Sequence, residues 1–237
     1  MEYPKIETLF NRDEKFKVIE GDYRLKEFEL IKSWYVTEKI DGTNVRIIYQ
    51  PVYETVGMIS LAQIREYRCM ELIFKGRTDK AEFHPTLRAY LEKTFTLEKL
   101  EAVFGEKMAE SKFAVHLFGE AYGPKIQSGG NYRKDVCVRL FDVYVADREN
   151  PLGGWWLEPE NVGDIADKLG VGVVLPLPDM TTSEIVEYVK SKQLSRVSQV
   201  EGGNPNYPME GVVARTRPLL FTRKGERLIF KLKIKDF

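Results

Sequence analysis

Strands that pack into a sheet leave little room for charge, yet five strand-like stretches of this 237-residue chain each carry it. They are "EKIDGTN" from Glu38, "KGRT" from Lys75, "FGEAYG" from Phe118, "MEGVV" from Met209 and "FKLKI" from Phe230. A fold that keeps these stretches must turn each charge to water or gather the charges around something they satisfy. Taken one at a time, the first solution suffices. Lys39 would face solvent, Glu120 would sit at a sheet edge, and Lys231 with Lys233 would line the wet face of an alternating strand. The recurrence of lysine, arginine, glutamate, glutamate and a lysine pair on separate strands favours the second, because a nucleotide with its metal needs both signs of charge.

The remaining pattern sets the fold class. "WYVTEKI" and "VRIIY" flank Asp41-Gly42 and predict two strands around a tight turn, where glycine allows the backbone angles required. "YRCMELIFKGR", "KFAVHLFGEAYG", "VCVRLFDVYVA", "MEGVVARTR" and "ERLIFKLKIKDF" read as further strands. "HPTLRAYLEKTFTLEKLEAVFG", from His84 to Gly105, spaces its apolar residues at helical intervals and predicts one or two amphipathic helices. "EPENVGDIADKLG" and "TTSEIVEYVKSKQL" predict short capped helices, and "GGNPNYP" a loop. The sum is an α+β protein with substantial antiparallel sheet. The sequence shows no internal repeat, low-complexity run or long linker, so one domain over residues 1–237 is expected.

Composition excludes several classes. Lysine plus arginine equals aspartate plus glutamate, 36 each, so no global positive field draws the chain to nucleic acid and any phosphate binding must be local. The two cysteines, Cys69 and Cys137, have no CxxC spacing and no clustered histidine, which argues against zinc; they read as buried thiols of a reducing compartment. His84 and His116 lack clustered partners and read as structural. The N-terminus is too charged for a signal peptide, and no stretch reaches the roughly 20 apolar residues that cross a bilayer. A soluble cytoplasmic protein is the expectation.

"EKIDGTN" matches the KxDG signature of the covalent nucleotidyltransferases, the superfamily of polynucleotide ligases and mRNA capping enzymes. "FGEAYG" resembles their third motif, "FDVYV" from Phe141 the aromatic-bearing one after it, "EGVV" the fourth and "FKLKIKDF" the fifth. Order and spacing also match, over about residues 34 to 235. KxDG alone is weakly specific, whereas five motifs in order are strong. Asn44, the opening "YPKIETLFNRD" and "FGEAYG" look most like the RNA ligases of the bacteriophage nick-sealing type. Nothing after Phe237 offers the oligonucleotide-binding barrel of DNA ligases and capping enzymes, or a helical C-terminal domain, so a stand-alone catalytic core is expected.

The resemblance implies ATP and Mg²⁺ or Mn²⁺ as cofactors, and RNA with 5′-phosphate and 3′-hydroxyl ends as substrate. Lys39 would be the nucleophile that becomes linked to AMP. A free lysine, with a pKa of about 10.4, is nearly all protonated at neutral pH. Surrounding it with Lys231, Lys233 and Arg77 and removing water would favour the uncharged amine that attacks. Lys231 and Lys233 are assigned to the α-phosphate, and Glu210 with Asp41 or Asn44 to the metal, largely through its waters. Glu120 is assigned to ribose hydroxyls, Phe141 to the purine face, Arg77 to ribose or phosphate, and Glu38 to the adenine edge, partly through backbone. Lys125, Arg133 and Lys134, and Arg215, Arg217, Arg223 and Lys224, are candidates for an RNA phosphate track. Rival expectations are a guanylyltransferase, a minimal DNA ligase, a silent RNA-end-binding protein, or a catalytic subunit whose RNA-binding part lies on a partner protein.

Overall fold

The computed structural model describes residues 1–59, 62–105, 108, 111–150 and 153–237. In chain order the strands are β1 (Glu7–Thr8), β2 (Phe10–Arg12), β3 (Val18–Tyr23), β4 (Tyr35–Lys39), β5 (Thr43–Ile59), β6 (Ala62–Lys75), β7 (Phe113–Tyr122), β8 (Cys137–Asp147), β9 (Gly154–Trp156), β10 (Gly172–Val173), β11 (Gly211–Arg215) and β12 (Ile229–Lys233). The α-helices are α1 (Pro85–Thr94), α2 (Leu97–Phe104), α3 (Pro159–Leu169), α4 (Thr182–Lys190) and α5 (Arg196–Val200). The chain divides into two compact units, one of Met1–Tyr3, Thr43–Ala121 and Val136–Val173, the other of Pro4–Gly42, Tyr122–Asp135 and Val174–Phe237. The α+β class with antiparallel sheet is thus as the sequence predicts, with parallel pairing added at β1–β12 and β10–β8.

The first unit is built on a sheet in the order β10-β8-β7-β5-β6, with β9 on β8. β5 and β6 form a long hairpin, but β7 pairs only Thr43–Tyr49 of β5. Val52 and its partner Cys69 lie on the ribbon beyond that pairing. Cys69 is accordingly exposed and Cys137 only half-buried, which corrects the expectation of two buried thiols. The segment from His84 resolves into two helices because Thr96 caps the second, its hydroxyl accepting from the Lys99 N–H. Gly105, at φ 82°, ends it.

The second unit carries a four-stranded sheet in the order β1-β12-β11-β4. Strand alternation gives this sheet one apolar face. Val36, Val212, Ala214, Phe230 and Leu232 lie on it, fully buried, with Leu9, Phe28, Trp34 and the α4 residues Ile185, Val186 and Val189 packed in the same core. α4 starts on a capping box between Thr181 and Glu184. Strands β1 to β3, β9 and β10 and helix α5 have no counterpart among the predicted elements. They are two to six residues long, too short for a period to show. Among the described residues, no helix is long and apolar enough to cross a membrane.

Candidate active site

The face of the four-stranded sheet opposite its core collects the charges. β11 pairs β12 with Gly211 opposite Lys233 and Val213 opposite Lys231, and pairs β4 with Gly211 opposite Lys39. Lys39, Lys231 and Lys233 therefore share one face, around a glycine. A Cβ at Gly211 would stand 2.2 Å from the Leu232 carbonyl oxygen, so the position tolerates only glycine and leaves no side chain between Lys39 and Lys233. Glu210, the next residue back, reaches both lysines. Lys39 Nζ donates to its Oε2 at 2.8 Å, and Lys233 Nζ makes a very short hydrogen bond to its Oε1. The side chains of Lys39, Glu210 and Lys233 are 22%, 17% and 18% exposed, so these are not surface ion pairs. Burial, then the charges of Lys233 and Lys39, holds the Lys231 ammonium below the usual lysine range.

The turn that carries Lys39 is held on both sides. Glu38 is fully buried on the opposite face, and its carboxylate accepts from Ser195 Oγ at 2.5 Å, Arg196 N at 2.9 Å and Val197 N at 3.1 Å. Desolvation outweighs these donors and raises the Glu38 carboxyl above its ordinary value. Its side chain is committed in this way, and its backbone N–H donates to the Leu175 carbonyl at 3.0 Å. Beyond the lysine, the Asp41 N–H donates to the Tyr132 hydroxyl at 3.0 Å. Sequence reading passed over Tyr132, which lies in a loop with no motif around it.

In the first unit, β5 places Asn44 directly opposite Glu120 on β7. Asn44 Oδ1 is buried without a hydrogen-bond partner. Gly119 lets β8 approach, since a Cβ there would lie 2.7 Å from Val138 Cγ1. Phe141 is half-buried, with Tyr3 edge-on at 5.0 Å; Tyr3 also donates a very short hydrogen bond to the neighbouring Asp142. Arg77 is exposed on the turn after β6, whose Gly76 carbonyl accepts from the buried Arg46 at 2.9 Å. His84 caps α1, accepting from the Thr86 N–H. His116 is buried with Nδ1 unpartnered, and desolvation lowers its pKa to about 4, so it is a neutral core histidine without the partner expected of it.

Among the described residues, no group of three or more histidine, cysteine, aspartate or glutamate side chains is placed to hold a metal ion. Glu210 has lone pairs beyond those its two lysines use, and Asn44 Oδ1 is an unsatisfied acceptor. The spare lone pairs of Glu210 fit Mg²⁺ or Mn²⁺ arriving with its waters and a nucleotide's phosphates, and do not by themselves form a resident cage. The RNA track thins out. Arg215, on the Lys39 face of β11 by strand alternation, is only 3% exposed and so is not a surface cation. Arg133 pairs with Glu201, and Arg217 with Asp179 while lying over the Tyr35 ring. Lys125, Lys134, Arg223 and Lys224 are exposed.

The fold is that of an RNA ligase nucleotidyltransferase core. It is similar to the RNA ligase of Naegleria gruberi, seen in a lysine-to-alanine mutant with ATP and Mn at TM-score 0.55 and 18% identity, over 98% of this chain and 62% of that one. A glutamate-to-alanine mutant with AMP and Mn matches at TM-score 0.56 and 18% identity, over 98% and 62%. An arginine-to-alanine mutant with ATP and Mn matches at 0.54 and 18%, over 98% and 57%. The chain thus spans about three-fifths of the length of these solved ligases. No curated protein matches it. The RNA ligase family profile matches residues 32–233, and the chain belongs to that family.

Proposed function

We propose that this chain is an ATP-dependent RNA ligase core that adenylylates itself on Lys39 and passes the AMP to a 5′-phosphate RNA end, which a 3′-hydroxyl then attacks to seal the strand. The observation that carries the proposal is the half-buried convergence of Lys39 and Lys233 on Glu210, with Lys231 on the same sheet face, in a chain of the RNA ligase family. In the first step Lys39 gives up a proton to water and its hold on Glu210, and Nζ bonds to the α-phosphorus of ATP. The bond from that phosphorus to the bridging oxygen breaks, and pyrophosphate leaves. Lys231 and Lys233 stabilise the charge that builds on the α-phosphate, a role worth several kcal/mol when ammoniums are fixed in place beforehand. Glu210, once Lys39 lets go, would hold a divalent ion, which would supply further positive charge to the phosphates.

Glu120 is proposed for the ribose hydroxyls, Phe141 for the purine face, Arg77 for ribose or phosphate, and Asn44 and Asp41 as further polar contacts for the nucleotide and its metal. These assignments rest on the motifs that carry the residues. The test is incubation with α-labelled ATP and Mg²⁺ or Mn²⁺, then denaturing electrophoresis. A metal-dependent covalent label is expected, absent in Lys39→Ala and in Lys39→Arg, whose guanidinium stays protonated. Label retained in Lys39→Ala would place the nucleophile elsewhere, and labelling by GTP or NAD in place of ATP would make the chain a different nucleotidyltransferase.

A further inference from the structure

We propose that Tyr132 is a positioning residue for the nucleophile: its hydroxyl and the buried Glu38 carboxylate hold the Glu38–Asp41 backbone at two points, one on each side of Lys39. The inference rests on reading Lys39 as the nucleophile.

The geometry is specific. The Asp41 N–H donates to Tyr132 Oη at 3.0 Å, and the Tyr132 side chain is fully buried. Burial pushes its phenol pKa well above the ordinary range, so the group stays a neutral hydroxyl at any working pH. The ring cannot swing away, because Tyr122 and Tyr207 meet it edge-on at 5.7 Å and 5.2 Å.

Both anchors belong to one stretch of chain. Glu38 is held by Ser195, Arg196 and Val197. The carbonyl of Asn131, next to Tyr132, accepts from Ser198 Oγ at 2.8 Å and from Asn204 N at 2.8 Å. Gly203 lies so close that a Cβ there would stand 2.3 Å from the Asn131 and Tyr132 carbonyl oxygens. Tyr122 and Arg133 add hydrogen bonds to the two oxygens of Glu201. The 195–204 segment therefore braces both ends of a four-residue span, and Ile40 within that span is itself buried.

A flexible lysine on a loose turn would spread its amine over several ångströms. In-line attack needs the reacting atoms about 3–3.5 Å apart, and a displacement of about 1 Å can cost roughly a hundredfold in rate. Fixing the backbone on both sides leaves only the Lys39 side-chain torsions to be set by substrate. Neither anchor touches the amine, so each acts through the backbone.

The test is Tyr132→Phe, which deletes one oxygen and keeps the ring packing. Two single-turnover reactions are compared: adenylylation by ATP, and sealing of an RNA that already carries AMP on its 5′-phosphate, a reaction in which Lys39 forms no bond. Adenylylation is expected to slow by about tenfold to a hundredfold at saturating ATP. The half-saturating ATP concentration and the sealing of pre-adenylylated RNA should stay within about twofold of wild type. Equal loss in both reactions would make Tyr132 a general structural residue, and wild-type adenylylation would remove it from the nucleophile's support. Lys39→Ala, run alongside, keeps the two readings apart. If that variant still labels, the proposed nucleophile fails; if it does not and Tyr132→Phe labels normally, only the positioning role fails.

Discussion

Glu210 and His116 show two ways in which a polar side chain survives burial. Glu210 is compensated, since both its oxygens carry lysine ammoniums. Its charge was legible in the sequence as one that burial allows only with a partner or a job, but the motif pointed to a metal, and the two lysine partners came only with the strand register. Glu38 was legible as a buried charge but not in its partners, because donors from Ser195, Arg196 and Val197 follow no pattern that one strand can reveal. His116 is uncompensated and stays neutral instead, with its pKa lowered from 6.5 to about 4, first by desolvation and then by the N-terminal ammonium and Arg46. The unfolded chain takes up a proton here near pH 6.5, the folded chain only near pH 4. Acid therefore favours unfolding across that window, and the stability present above pH 6.5 is lost as pH falls, by about 3 kcal/mol at most. Urea unfolding at pH 7 and pH 4.5 should show a larger loss for wild type than for His116→Leu. Equal losses would mean that the histidine is protonated in the fold without penalty.

At the scale of elements, the end of β12 is fixed much as the turn after β4 is. A short 3₁₀ turn, Ile234–Asp236, follows Lys233, and the buried Asp236 accepts the Lys233 N–H at 2.9 Å and the Arg12 guanidinium at 2.6 Å. Lys233 is thus tied through its backbone to β2, an element with no sequence signal of its own. Asp236→Ala strips Lys233 N–H and Arg12 of a shared acceptor, and a lost hydrogen bond to a charged group costs roughly 1.5–3 kcal/mol. The urea midpoint should fall accordingly and adenylylation should slow; an unchanged midpoint would show that water replaces the carboxylate. The long elements were readable from a sustained apolar run, as in "FAVHLFGEAY", or from a repeated helical period, as in the stretch from Pro85. β1, at two residues, offers no period, and only its parallel register with β12, Thr8 opposite Lys231, gives it a place.

For the whole molecule the governing fact is electrical neutrality, 36 basic against 36 acidic residues, with the cations that matter gathered locally. Three of them lie on the Lys39 face, and of the basic residues expected to track RNA, Arg133 and Arg217 are spent on carboxylates and Arg215 is buried. Lys125, Lys134, Arg223 and Lys224 are the exposed members of that set. If these four carry the phosphate contacts to a single strand, binding should fall with a logarithmic salt slope of about 0.7 per contact. A rise from about 50 to about 200 mM salt would then weaken RNA binding by about 50-fold. The proposed self-adenylylation would draw on half-buried groups that salt screens poorly, so its rate should change little over the same range. The measurement is both rates on one preparation across the series, with RNA kept below saturation in the sealing assay. A parallel decline would mean that the ATP site itself is salt-sensitive. Salt-insensitive sealing would mean that RNA is held by contacts other than these cations.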